Sequence, residues 1–181
     1  VDAFSVEGIA IVEADASNGV WQYSLNSGTT WTAIGAVSES NARHLASNAA
    51  TRLRFVPNLN FNGTAAMTFR AWDRTAETNG SIKPISETGL LSPYSIAKAT
   101  AQIVVNAIND APVLDASAPF TVAGIIEDDI TSAGTLVSTM AASAITDVDA
   151  AAVPGIAILS ADNSNGAWQY STNGGTSWTP L

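Results

Sequence analysis

Apolar and polar residues along the chain alternate over short stretches rather than at helical spacing. GIAIVEA (8–14), VWQYSLN (20–26), TWTAIG (30–35), TRLRFVP (51–57), AAMTFRAWD (65–73) and TAQIVVNAI (100–108) are brief and rich in β-branched or aromatic residues. Clusters of Gly, Asn, Ser, Pro and Asp separate them at roughly hairpin spacing, so each reads as a strand. LRFVP and MTFRAW alternate apolar and polar, which suits a sheet with one wet face. The Ala-rich tract 136–155 (LVSTMAASAITDVDAAAVPG) has no sustained stripe at helical period, and Thr, Val and Ile interrupt it. It is read with the strands, not as a helix. Residues 72–100 form a polar, irregular connection between two good strands. A connection of that length is either a surface loop with a task or a mobile excursion, and the sequence leaves both open.

The pattern also repeats. Residues 1–34 align without a gap on residues 148–181 and are identical at 22 of 34 positions. An offset of 147 residues is too long for a solenoid unit and suits one domain. The chain therefore reads as one and a quarter copies of a domain-sized unit, a window on a longer tandem array. Copy 1 spans 1–108 and lacks its opening strands. Copy 2 spans 109–181 and lacks its later ones.

Within the repeat, Ser24, Asn26, Gly28, Thr30 and Trp31 spell S-x-N-x-G-x-T-W, and Ser171, Asn173, Gly175, Ser177 and Trp178 spell it again with Ser for Thr. N-S-G or N-G-G between two aromatic strands supplies the positive torsions of a tight turn. The Asn side chain can bond backbone beyond the turn, and the Trp is expected to fold down as a local plug. The pattern resembles the Asp-box of sialidase propellers, with Asn in place of Asp. In those enzymes the box is a structural corner, so the resemblance implies a hairpin rather than glycosidase activity.

Composition narrows the function. Of 181 residues, 46% are hydrophobic, enough to bury a core, and only 13% are charged. No apolar stretch is long enough for a membrane span, and VDAFSVEGIA has neither the charged nor the apolar region of a signal peptide. With no cysteine there are no disulfides, thiolate zinc sites or cysteine nucleophiles. The net charge of −9 is uneven: residues 99–181 hold eight acids and no Lys or Arg. That region disfavours nucleic acid or an anionic membrane and invites a cation. Catalytic readings are weak. His44 is the sole histidine, without a fixed acid neighbour, and no G-x-S-x-G, HExxH or phosphate loop occurs. Asn62-Gly63-Thr64 is formally a glycosylation sequon, with a plainer role as a turn.

FVPNLNFNGTAAMTFRAWD (55–73), NDAP (109–112), IEDD (126–129) and DVDA (147–150) occur in an order that resembles the bacterial cadherin-like repeats of giant secreted adhesins of the repeats-in-toxin type. The resemblance covers nearly the whole chain. The hairpin region and the 72–100 connection make this unit longer than a typical repeat of that kind. It implies an all-β fold of tandem Ig-like, Greek-key β-sandwiches with calcium between successive sandwiches. Calcium takes six to eight oxygens, which suits carboxylates, Asn side chains and carbonyls gathered from loops. Asp147 and Asp149, two apart, point to the same side of an extended chain. With Asn109 and Asp110 of the linker, whose bending Pro112 restricts, they are expected to form the junction between the copies. Asp73 and Asp2, the latter equivalent to Asp149, are expected to form an upstream site, and Glu127 and Asp128 are ligands by analogy. For each of these acids the alternative is a solvated turn residue.

The resulting expectation is a non-enzymatic, extracellular spacer: a calcium-stiffened module of a large bacterial surface or secreted protein, or of a filament. Its partners would be neighbouring repeats or identical chains and, at the cell surface, carbohydrate or protein. Two alternatives remain. The first is a carbohydrate-binding module using Trp21, Trp31, Trp72, Trp168 and Trp178 as stacking platforms. The second is a fibre subunit whose open sandwich edge takes a strand from another chain.

Overall fold

The structure, a computed structural model, describes residues 7–117, 120–141 and 144–181. In chain order the elements are β1 (Gly8–Ala14), β2 (Gly19–Ser24), β3 (Thr32–Ala33), β4 (Ala42–Ala46), β5 (Arg52–Pro57), β6 (Gly63–Trp72), β7 (Ile82–Lys83), β8 (Tyr94–Val105), β9 (Val113–Leu114), α1 (Val137–Ala141), β10 (Ile145–Thr146), β11 (Gln169–Tyr170) and β12 (Thr179–Pro180). Every ladder is antiparallel. The protein is all-β apart from the five-residue α1. It divides into two compact units, Val1–Ala107 and Ile108–Leu181.

The first unit contains a five-stranded sheet in the order β7-β4-β1-β6-β8 and a three-stranded sheet in the order β3-β2-β5. The sheets meet through one apolar cluster. Ile11, Leu45, Ala65 and Met67 from the larger sheet pack with Trp21, Tyr23 and Phe55 from the smaller one. Trp21 and Phe55 are tilted against each other with ring centres 5.1 Å apart.

The opposite face of the larger sheet is also covered. Ala10, Val12 and Ala42 pack under Trp72 and Tyr94, with Ile85 against them. Alternation along β1 thus sends Ile11 to one core and Ala10 and Val12 to the other, which is why GIAIVEA is apolar almost throughout. The end of β6 and the start of β8 supply this second cover, and the connection between them adds Ile85. That connection contributes β7 to the sheet edge beside β4 and ties Gly80 N–H to the His44 carbonyl at 2.7 Å. Within residues 72–100, Trp72 ends β6, Ile82–Lys83 form β7, Ile85 packs on the sheet and Tyr94 onward is the long strand β8.

One reading of the chain is corrected, and two segments that had none are assigned. β4 (ARHLA) is an interior strand that its Arg and His disguised. α1 lies inside the tract read as strand. Residues 155–161 (GIAILSA), the counterpart of β1, are in no ladder, although residues 8–14 are strand throughout. β1 is held by β4 and β6, whereas among the described residues 155–161 pair with no strand.

The duplicated hairpin, by contrast, is the same twice. Gln22 and Tyr23 pair with Ala33 and Thr32, and Gln169 and Tyr170 pair with Pro180 and Thr179. Ser24 Oγ donates to Asn26 Oδ1 (2.9 Å) and accepts from Gly28 N–H (2.9 Å), while Asn26 Nδ2 donates to Thr30 Oγ (2.9 Å). In the second copy Ser171, Asn173, Gly175 and Ser177 make the corresponding bonds at 2.8, 2.9 and 2.8 Å. Trp21 Nε1 donates to the Asp15 carbonyl and Trp168 Nε1 to that of Asp162, both at 3.0 Å. The turn is closed by its own side chains.

Gly19 is glycine because of close approach, not torsion. A Cβ there would stand 2.5 Å from the Val56 carbonyl oxygen and press into the Phe55 ring. Gly19→Ala is therefore expected to destabilise the first unit by about 1–3 kcal/mol, read from urea unfolding followed by tryptophan fluorescence.

Candidate functional site

The expected ligands separate in space. Four of them, Asn109, Asp110, Asp147 and Asp149, lie at the entry to the second unit, where β9 pairs with β10 in the register Val113 to Thr146 and Leu114 to Ile145. That short ladder aligns the chain before β9 with the chain after β10. Asp110 N–H donates to Asp149 Oδ2 at 2.9 Å across 39 residues of sequence. Asp149 N–H in turn donates to Asp147 Oδ1 at 2.9 Å, the turn expected of an Asp two residues upstream. Asn109 Nδ2 donates to the Asp110 carbonyl at 2.7 Å. Asp110 and Asp149 are half-buried, and Asp147 and Asn109 are exposed.

An open recess of about 220 Å³ adjoins them, lined by Pro112, Ile145, Asp147, Asp149 and the turn from Ala151 to Gly155. Each carboxylate of the D-x-D pair accepts one of these amide hydrogen bonds on one oxygen, and the other oxygen accepts none of them. The donor set is all oxygen and suits a hard cation. Among the described residues, however, no group of three or more His, Cys, Asp or Glu side chains converges as a metal site.

The other expected ligands do not join this group. Asp73 Oδ1 accepts from Thr75 N–H at 2.9 Å and from Thr75 Oγ at 2.7 Å, the closed turn that a solvated Asp makes. Glu127 and Asp128 sit in an exposed turn, Asp128 at a φ of 64°. Asp2 lies outside the described residues.

Three further Asp residues, Asp15, Asp115 and Asp162, each bond the Ser two positions on. Those bonds hold their carboxyls below the usual range, chiefly through the Ser hydroxyl for Asp15 and Asp115 and through the Ser164 amide for Asp162. The basic residues of the first unit are used locally. Glu39 takes Arg70 Nη2 at 2.8 Å and Nε at 3.1 Å, and Lys98 Nζ at 2.8 Å. Hydrogen bonds from Arg70 and then Lys98 hold its carboxyl at about 2.

The tryptophans offer little platform in the first unit. Trp21 and Trp72 are 6% and 2% exposed. Trp31 is half-buried; it lies outside the core, against Gly28, with the Arg54 guanidinium 4.1 Å from its ring centre. The expected plug is thus a surface cap in that copy. In the second unit Trp168 and Trp178 are more open, and Trp178 rests on Gly134 and Gly175.

His44 proves to be a core residue. It is fully buried on β4, with Trp72 edge-on at 5.1 Å and Nε2 2.8 Å from the Tyr94 hydroxyl. Its Nδ1 has no hydrogen-bond partner. Sequence reasoning missed this cluster, and the only signal was the apolar Ala-x-x-Leu-Ala around the histidine.

No helix among the described residues is long and apolar enough to cross a membrane. Comparison of the chain with protein-family models, curated proteins and solved structures gives no match.

Burial holds the His44 imidazole below its ordinary value of 6.5, outweighing the opposing pull of Glu77. A depressed folded value means that the unfolded chain takes up the proton first. Stability is therefore intact above about pH 6.5 and is lost as the pH falls below it. Because this is the sole histidine, the unfolding free energy between pH 7.5 and 5.5 should decline in the native chain. In His44→Gln it should be flat, whatever that substitution costs at neutral pH. Urea titrations at stepped pH measure both.

Proposed function

We propose that this protein is a non-enzymatic, extracellular structural repeat: a calcium-stiffened spacer of a large bacterial surface or secreted protein, built from tandem cadherin-like, Ig-like β-sandwiches. The observation that carries the reading is the meeting of Asp110 with Asp149 and Asp147 at the entry to the second unit. Residues far apart in sequence meet there, and both carboxylates of the D-x-D pair line one recess.

In this reading Asp147 and Asp149 supply carboxylate oxygens, while Asn109 and Asp110 supply side-chain or carbonyl oxygens. A divalent ion then draws the entering chain, already limited by Pro112, onto the loop after β10. The eight acids and absent bases of residues 99–181 support it, since a cation relieves repulsion that nothing else in that region neutralises. The work of such a module is mechanical, replacing a flexible entry with a cross-linked one.

A carbohydrate-binding role has less support. In the first unit two indoles are core residues and a third is capped by Arg54.

An ion that binds only the folded form stabilises it by about 2.7 kcal/mol at a hundred times its dissociation constant. Excess calcium is therefore expected to raise the melting temperature of the second unit, a chelator to lower it, and Asp149→Asn to remove most of the difference. Calorimetric scans with calcium and with chelator decide the matter. Superimposable scans for the native chain would refute the calcium reading.

A further inference from the structure

The connection between β6 and β8 ends in a turn that holds two leucines out of the protein. Gly89 N–H donates to the Tyr94 carbonyl and Ser92 N–H to that of Gly89, both at 2.8 Å, and Ser92 Oγ donates to the Glu87 carbonyl at 2.6 Å. Leu90 and Leu91 at its tip are fully exposed. Leu90 stands at a φ of 51°, a region that a bulky side chain rarely occupies. Exposed leucines scattered singly need no explanation. A turn closed by its own hydrogen bonds that accepts backbone strain to present two of them side by side is the kind of outlier from which function is inferred.

The same end of the first unit carries a recess. Gly8 at the start of β1 pairs with Ala46 at the end of β4 and with Trp72 at the end of β6, and Trp72 pairs with Tyr94 at the start of β8. The leucine turn, which leads into Tyr94, and the loop that follows Ala46 therefore share one end of the larger sheet. There Gly8, Ile9, Leu45, Ala46 and Leu53 line an open apolar recess of about 220 Å³. At roughly 30 Å³ per water molecule, that is room for the four carbons of a leucine side chain.

The surroundings carry opposite charges. Arg52 also lines the recess and is exposed, with Nη1 donating to the Thr51 carbonyl at 3.1 Å. Glu87, whose carbonyl ties the leucine turn, is exposed as well. Among the described residues neither of them is in an ion pair. Because Leu90 and Leu91 are fully exposed, they fill no recess of their own chain. A tip and a recess on one end meet reciprocally when two copies face each other about a twofold axis.

We propose that this end of the first unit is a self-recognition site whose occupant is a second copy of the chain. The Leu90–Leu91 tip of each copy enters the apolar recess of the other, and Glu87 of one meets Arg52 of the other. The buried leucine supplies the anchor, and the charges at the rim fix the orientation. A contact of this small size makes a weak, reversible pair rather than an obligate dimer.

The test is sedimentation velocity of the full 181-residue chain at low salt in calcium-free buffer, so that no metal site takes part. Between about 10 μM and 1 mM the native chain is expected to pass from monomer to dimer. The chain carrying Leu90→Asp and Leu91→Asp, both surface changes, should stay monomeric over that range. Glu87→Arg and Arg52→Glu should each raise the dissociation constant about tenfold or more, and the two together should restore it. A native chain that is monomeric throughout, a leucine-substituted chain that still pairs, or a double charge reversal that pairs no better than either single one overturns the proposal.

Discussion

Burial of β1 on both faces is the constraint on which the first unit rests. Ile11 completes the seam between the two sheets, while Ala10 and Val12, on the other side of the same strand, receive Trp72 and Tyr94. A strand with no wet face cannot tolerate a slip of one residue, because each position is cut to a different cover. Its start is as tightly set: a Cβ at Gly8 would lie 2.7 Å from the Trp72 ring and 2.8 Å from the Leu45 carbonyl. The connection after β6 packs Ile85 against this second core, and the buried His44–Tyr94 pair, from β4 and β8, is its polar element.

Strands whose pattern is set by their own side chains were legible in the sequence. β1, β2, β5 and β6 carry β-branched or aromatic residues at the required alternation, and their limits differ from the sequence reading by two residues at most. β4 was not legible, because its covers are Trp72 and Tyr94, far along the chain, and its inward histidine looks polar in isolation. β8 extends well upstream of TAQIVV because β6 continues to Trp72, and the ladder between them reaches Tyr94. GIAILSA has the composition of a strand, and among the described residues it lies in no ladder.

The candidate site was legible to the extent that chain geometry alone decides it. Two Asp residues separated by one position, and an Asn-Asp before a proline, come together because β9 and β10 pair next to them. Asp73 could not be sorted from sequence, since a ligand and a turn residue look alike there; in the structure Thr75 closes its turn. The charge asymmetry has a structural counterpart. In the first unit Arg70 and Lys98 meet Glu39, and Arg43 and Arg54 lie over aromatic rings, whereas residues 99–181 hold eight acids and no Lys or Arg.

The hairpin that begins at Trp21 and again at Trp168 closes on itself in both settings, with β5 alongside in one and no such partner in the other. Such a loop forms within microseconds of its residues becoming available. In arrays of near-identical domains, mispairing between neighbours during synthesis is the characteristic kinetic hazard. The turn needs only residues close to it in sequence, so each of its two occurrences can close before distant segments have been made.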